Sequence, residues 1–472
     1  MTRGRTRNRR GRQTRQPLPA VPRARPLLKT TDEGDPIKID SSIVQSDRNR
    51  WIDRWIDPFL AANRPFLQRL GLSTEVHSQG GVHILLRPSG RIGAVPLVAP
   101  ATRRVVAGVL VEPRFRWSGL GRVLSAVNFS VAPNLGSGPL VPGSGREIPA
   151  WLLAGPVIRR LEQLLVTRKP TFTPRREDRA SPRGRIDWGT WSRRQVPAGR
   201  WTTLPCEFTD LGDDPDLMAA VRWTLMRLGD DLFVMRDSIP ARRLAERVRA
   251  LLASVGDGQR RRPSSTVAPT FDPVVHEALE AMSWVADGRG LGGQHALDGL
   301  PWDLAVADVW EAWVRAFAAD LAPVVGLRPP PDHAVRRALR WQGRIASMSS
   351  LAPDVGLIGE NRTVWIDAKY KAHLAEIARR GWRETAEHIR EAHRADLHQA
   401  LAYAALADTE RVDTVLLYPH LGPSEAPLPV AVASLTSGKR QVRLVLGALP
   451  FGFSTPAERD ASIRQWRELL AA

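Results

Sequence analysis

Apolar residues recur along this chain with two spacings, and the points where one gives way to the other mark out its organisation. Val82-His83-Ile84-Leu85-Leu86-Arg87, Gly90-Arg91-Ile92-Gly93 and Arg104-Val105-Val106-Ala107-Gly108-Val109-Leu110-Val111-Glu112-Pro113 are short runs punctuated by glycine and proline, which predicts strands. Over residues 149–165 the period lengthens, and Leu152, Leu153, Ile158, Leu161, Leu164 and Leu165 fall near helical spacing. Residues 217–228 and 241–253 alternate apolar and basic faces, and further helices are predicted around Val309 to Leu321 and over 396–406. Between those last two, Val364-Trp365-Ile366-Asp367-Ala368-Lys369-Tyr370 is rich in β-branched and aromatic residues and follows a turn at Gly359-Glu360-Asn361-Arg362. A strand at 412–418, ending in Pro419, completes an α-β-β-α-β order, as expected of a mixed sheet.

These shifts predict a mixed α+β multidomain chain. The expected parts are a disordered basic tail over 1–40, a β-rich domain over 41–170, a connector and helical middle region over 171–295, and a mixed sheet flanked by helices over 296–472. At 472 residues the chain is long enough for two or three domains with substantial cores, and 43% hydrophobic content is in the globular range. No apolar run approaches the roughly 20 residues that span a bilayer, and the N-terminus lacks a signal-peptide core, so a cytoplasmic protein without a membrane partner is expected. The lone Cys206 excludes an intrachain disulfide and a cysteine-cluster metal site, and its place in a predicted strand suits a core residue better than a nucleophile.

Charge narrows the partners. A formal net charge of +19 favours a polyanion, because neutralising phosphates releases counterions. Nine of the arginines, from Arg3 to Arg25, lie in an opening segment without an acid and with prolines at 17, 19 and 22. Such a segment buries too little apolar surface to fold alone. It is either a nucleic-acid arm or a solvated extension. The arginine-rich stretch from Lys169 to Arg185 reads as an exposed connector, and Arg242, Arg243, Arg247 and Arg249 as a solvated helix face or a phosphate grip. Gly288-Arg289-Gly290-Leu291-Gly292-Gly293 lacks the G-K-[ST] ending of a phosphate loop and reads as a connector.

The candidate chemistry lies in the run from Pro353 to Lys371. Alternation along the strand projects Asp367 and Lys369 to one face with Trp365, and Ile366 and Ala368 to the other. The hairpin brings Asp354 near Asp367. Two carboxylates and an ammonium on one rim suit phosphodiester hydrolysis, which needs a hard divalent cation and a positioned water. Asp354 and Asp367 would hold the metal, the Ala368 carbonyl would add a ligand, and Lys369 would orient the water or offset developing charge. The bland alternative is a solvated hairpin with an ordinary surface pair. Downstream, Gln399 and Tyr403 stack one turn apart on a helix. Upstream, Glu311 is either a paired helix acid or a further ligand. Lys371 is a phosphate contact or a solvated strand end. Arg379, Arg380, Arg383, Arg390 and Arg394 would line a nucleic-acid groove, or pair with the interspersed Glu376, Glu384, Glu387 and Glu391.

The succession Trp310-Glu311, Pro353-Asp354, Asp367-Ala368-Lys369 and Gln399-x-x-x-Tyr403 resembles the PD-(D/E)XK nuclease superfamily, in its branch with a Q-x-x-x-Y helix. Within it, I-D-A-K-Y-K, D-L-H-Q-A-L-A-Y-A and L-L-Y-P look like signatures of McrC-like nuclease subunits of modification-dependent restriction systems. So do Arg183-Gly184-Arg185-Ile186-Asp187-Trp188, the segment Cys206-Glu207-Phe208 and the helix predicted after Asp216. The resemblance runs from about Val82 to Pro419, and nothing functional is assigned beyond it.

That resemblance implies a DNA endonuclease using Mg2+ or Mn2+, with Asp354, Asp367 and Glu311 as metal-binding acids and Lys369 as the catalytic lysine. Gln399 and Tyr403 carry the helix motif. Lys371, Arg379 and Arg383 are the candidate DNA contacts. It also implies a McrB-like AAA+ GTPase partner on another chain, docking on the N-terminal portion, with modified DNA such as 5-methylcytosine read outside this chain. A stand-alone nuclease acting on DNA or RNA, and a non-catalytic DNA-binding adaptor that stimulates an NTPase, are the alternatives.

Overall fold

The computed structural model describes residues 25–43, 55–78, 81–136, 138–264, 270, 272–289, 298–331, 335–342, 347–420 and 429–471. The opening arginines up to residue 24 and the glycines at 290–293 lie outside the described residues. The architecture is mixed α/β with several sheets. Among the described residues no helix is long and apolar enough to cross a membrane.

A five-stranded sheet dominates the N-terminal half, in the order Leu27–Thr31, Val105–Glu112, Arg91–Val98, Trp302–Ala305, Asn134–Leu135. Three strands, one of them in a separate three-stranded sheet, revise the sequence boundaries. Leu27–Thr31 pairs in parallel with Val105–Glu112, and Ile37–Ile39 pairs with His83–Arg87, so strand structure begins inside the stretch whose composition suggested a tail to residue 40. Their partners lie some 50 to 80 residues away, beyond the reach of local charge bias. Trp302–Ala305, expected with the C-terminal sheet, instead pairs antiparallel with Arg91–Val98. The contact is close enough to require Gly93, where a Cβ would lie 2.3 Å from the Trp302 carbonyl.

The middle region is helical. Pro215–Val234 and Pro273–Ala286 each start with proline, and the preceding Asp214 and Asp272 accept hydrogen bonds from first-turn amides. They pack with Ala150–Thr167 and Ile239–Val255 around a shared core. The Lys169 to Arg185 connector is in fact largely a strand: Thr171–Arg179 pairs antiparallel with Leu204–Gly212. Its charged residues concealed it. They are held by cross-strand ion pairs such as Arg176 with Glu207 at 2.6 Å rather than by an apolar face. Cys206 is buried on the partner strand.

The C-terminal sheet runs Val355–Ile358, Arg362–Ala368, Arg411–His420, Arg440–Pro450, Val430–Ser437. The three central strands are parallel, and both edges are antiparallel. Their apolar runs are continuous because both faces are covered. Val364, Ile366, Val415 and Leu417 join the large core shared with helix Val306–Leu321, whereas Trp365 packs with Tyr403 and Ala404, and Leu416 and Tyr418 with Ala400, of helix Glu387–Ala404. Trp310 and Trp313 donate their indole N–H groups to the carbonyls of Leu417 (3.1 Å) and Pro450 (2.9 Å), so the first helix is bonded as well as packed to the sheet.

The two sheets meet at one aromatic and ionic junction. Phe115 stacks on Phe451 with centroids 4.3 Å apart, and Tyr370 donates its hydroxyl proton to the fully buried Asp32 at 2.6 Å. Arg114 donates to the Tyr370 oxygen at 3.1 Å, lies over its ring and pairs with Glu33. Trp310, fully buried and stacked on Phe451, links this junction to the C-terminal sheet. Trp310→Ala is expected to cost about 3–5 kcal/mol of unfolding free energy, the range for emptying a large aromatic site. Equilibrium urea denaturation checks it, and a loss within experimental error would place the load elsewhere.

Candidate active site

Backbone order places the acids. Asp354 sits just before Val355–Ile358, and its Oδ2 accepts the Ala368 N–H at 2.7 Å, which ties the start of one strand to the end of its antiparallel neighbour. Asp367 falls on the same side as Trp365, facing helix Glu387–Ala404, and is 4% exposed. Lys369 follows immediately after the strand. Its Nζ lies 2.5 Å from Asp367 Oδ2 and donates to Gln399 Oε1 at 2.7 Å. Gln399 Nε2 in turn donates to the Tyr403 hydroxyl oxygen at 2.6 Å. Asp354, Asp367, Ala368, Lys369, Gln399 and Tyr403 therefore stand in one bonded group drawn from two strands and one helix.

The electrostatics of this group differ from those of the buried acids Asp303 and Asp413. Asp303 lies between Arg69, at 2.7 Å, and Arg91, and the fully buried Asp413 lies between Arg362 and Arg443. Each of those carboxylates has two guanidinium partners. Asp354 and Asp367 instead crowd each other beside one ammonium. Burial pushes Asp354 up to about 6, with the charges of Asp367 and Glu311 adding to the rise against the Ala368 amide and Lys369. Burial and the Asp367 charge likewise push the Tyr403 phenol up. Asp367 Oδ2 is buried and receives no well-aligned hydrogen bond despite its contact with Lys369. Hard oxygen donors with too little compensating positive charge fit a divalent cation such as Mg2+ or Mn2+.

The remaining predicted residues have other partners. Glu311 pairs with Arg315 one helical turn on, and Arg315 also donates to the Asp354 carbonyl at 3.2 Å. Glu311 is thus close enough to affect Asp354 while its carboxylate is committed to an arginine. Lys371 donates to both oxygens of Asp396, at 2.8 and 3.0 Å. Arg379 and Arg380 pair with Glu376, and Arg390 with Glu387, each within one turn of helix. Arg383 is exposed in the turn between helices His373–Arg380 and Glu387–Ala404. On the middle helix, Arg247 pairs with Glu162 and Arg243 donates to the Ser125 carbonyl, so neither is a free solvated charge.

Asp396 is the residue that sequence reasoning passed over. Buried to 4% exposure, it also lies 3.7 Å from Lys369 Nζ. The available signal was its spacing, three and seven residues ahead of Gln399 and Tyr403 on one helix face. Arg315 was visible only as an i, i+4 partner of Glu311.

No family model matches the chain, and no curated protein does. Among solved structures the chain is similar to chains of McrBC assemblies. One is the refined half-complex from a tetradecameric assembly of Thermococcus gammatolerans McrB AAA+ hexamers with bound McrC, at a TM-score of 0.41 and 14% identity, covering 94% of this chain and 99% of that one. Another is a cryo-EM structure of the Thermococcus gammatolerans McrBC complex, at a TM-score of 0.25 and 9% identity, covering 63% and 87% respectively.

The raised pKa of Asp354 has a thermodynamic consequence. A carboxyl whose folded pKa lies above its unfolded value stabilises the fold at low pH, and that contribution is lost as pH rises through about 6. In chelator, the melting temperature of the wild type should therefore fall relative to that of Asp354→Asn between about pH 4 and about pH 7. Parallel melting profiles for the two proteins would remove Asp354 from the coupled acid pair.

Proposed function

We propose that this chain is a metal-dependent DNA endonuclease subunit of the PD-(D/E)XK type, acting in a McrBC-like restriction or anti-phage defence system. The observation that carries the reading is the convergence of Asp354, Asp367, Lys369, Gln399 and Tyr403, in which two crowded carboxylates share one ammonium.

Mg2+ or Mn2+, held by Asp354 and Asp367 with the Ala368 carbonyl, would polarise the scissile phosphate and lower the pKa of the attacking water. Glu311 would add to this set only if Arg315 released it. Lys369 stabilises charge that develops on the phosphate, because its ammonium is already fixed between Asp367 and Gln399 and pays little to reorganise. Tyr403 orients Gln399, and Gln399 orients Lys369. Lys371, Arg379 and Arg383 are the proposed phosphate contacts along the DNA, with Lys371 exchanging Asp396 for a phosphate oxygen.

An AAA+ GTPase of the McrB kind, on a separate chain, is the proposed activating partner, with modified bases such as 5-methylcytosine recognised outside this chain. The sequence motifs support this part: I-D-A-K-Y-K, D-L-H-Q-A-L-A-Y-A and L-L-Y-P occur together with R-G-R-I-D-W, and the sequence given carries no G-x-x-x-x-G-K-[ST] phosphate loop. A cytoplasmic location belongs to the same proposal.

Cleavage of methylated and unmethylated DNA in Mg2+, with and without the partner and GTP, tests both parts. Asp367→Ala and Lys369→Ala are each expected to reduce cleavage by at least about a hundredfold. Equal cutting by these variants would sink the active-site assignment. Cutting that is indifferent to the partner would leave a stand-alone nuclease.

A further inference from the structure

Beside the acid pair, a second group of side chains converges that the proposed nuclease chemistry does not use. His373, His393 and Asp396 each offer a ligand atom, and all three atoms lie within 4.8 Å of one another. His373 opens helix His373–Arg380, while His393 and Asp396 lie three residues apart on helix Glu387–Ala404, so the cluster bridges two helices. His393 and Asp396 are 3% and 4% exposed. His373 Nδ1 is buried without a hydrogen-bond partner and points to within 3.8 Å of Asp396 Oδ2. A buried ring nitrogen left in that state is costly unless something comes to it. The Tyr418 hydroxyl lies 3.2 Å from His393 Nδ1 and steadies that ring, as outer contacts of metal-bound imidazoles do.

We propose that His373, His393 and Asp396 bind one divalent transition-metal ion of the zinc class, at a site separate from the Asp354–Asp367 pair. The donor set decides the class. Two imidazoles and a carboxylate suit Zn2+ and its neighbours, whereas Mg2+ takes oxygen ligands. Donors around tetrahedral zinc stand about 3.3 Å apart, so the three donors, within 4.8 Å of one another, would draw together on binding.

The ion has a competitor already in place. Lys371 Nζ bonds both oxygens of Asp396, but its side chain is 37% exposed and can turn outward, whereas Asp396 is buried and cannot follow it. Ammonium and metal are therefore alternative partners of one carboxylate. Occupancy by the metal frees Lys371 and alters the field at Lys369, 3.7 Å from Asp396 Oδ1. The effect on DNA contact through Lys371 rests on the nuclease reading, and the metal site itself does not.

The test uses the full chain carrying Asp354→Ala and Asp367→Ala, so that the acid pair holds no ion. Zn2+ and Co2+ are the probes, read by metal content after desalting and by the visible absorption of bound Co2+. One equivalent is expected per chain, with Co2+ bands of nitrogen and oxygen coordination. His373→Gln should weaken binding at least about tenfold, and Lys371→Ala, which keeps every ligand and removes the competing charge, should tighten it by a similar factor. Affinity indifferent to both substitutions, or no bound ion, overturns the site. Because Lys371→Ala leaves the buried cluster intact, it decides the matter even where His373→Gln fails to fold. Zinc binding that depends on His373, together with no DNA cleavage by the protein that retains Asp354 and Asp367, would leave the site standing and the nuclease reading fallen.

Discussion

The hydroxyl of Tyr370, bonded to Asp32 across the junction of the two sheets, is the contact on which the arrangement of the site depends. Tyr370 stands between Lys369 and Lys371 in the chain, and its own position is fixed from 338 residues upstream. The bond is buried, and Arg114 closes over it from one side while Phe115 and Phe451 stack beside it. In surroundings of low polarity such a network is strong when complete and costly when broken. The backbone that carries both lysines is therefore held by the N-terminal half of the molecule as much as by its own sheet. A domain boundary drawn by sequence alone would cut through this support.

Charge is distributed with a consistent logic around that junction. Despite the large positive excess of the chain, its buried structural acids are each met by more than one cationic or hydroxyl donor, as at Asp32, Asp303 and Asp413. Lys369 and Lys371 share a smaller set of partners among Asp367, Asp396 and Gln399, and these bonds are arranged as alternatives rather than as a closed lattice. A region with more acceptors than fixed donors tolerates exchange of its cations. That is a property expected of a place that works rather than one that only stands.

Much of this is legible in the sequence. The strand expected over 364–370, found two residues earlier as Arg362–Ala368 with Lys369 just past its end, the helix bearing Gln399 and Tyr403 and the helix bearing Glu311 all follow from local periodicity, because each is amphipathic or apolar at its own spacing. What escaped shares one cause, long-range pairing. Leu27–Thr31 is a strand because residues near 110 complete it, and Thr171–Arg179 is one because ion pairs with Leu204–Gly212 replace an apolar face. The partner of Lys371 was hidden for a related reason. Whether a lysine meets a phosphate or an aspartate depends on which helix lies over the strand, and spacing along one element carries no information about that.

The return of Trp302–Ala305 into the N-terminal sheet bears on how the molecule is made. That strand lies between Arg91–Val98 and Asn134–Leu135 and joins them, so the sheet is incomplete until it arrives. Roughly 200 residues separate it from its partner, which at about 5–20 residues per second leaves the edge of Arg91–Val98 open on the ribosome for on the order of ten to forty seconds. During that interval the strand is a template for any other unpaired edge. Truncation before residue 305 would make the exposure permanent, and aggregation of such fragments would reflect a missing strand rather than a missing domain.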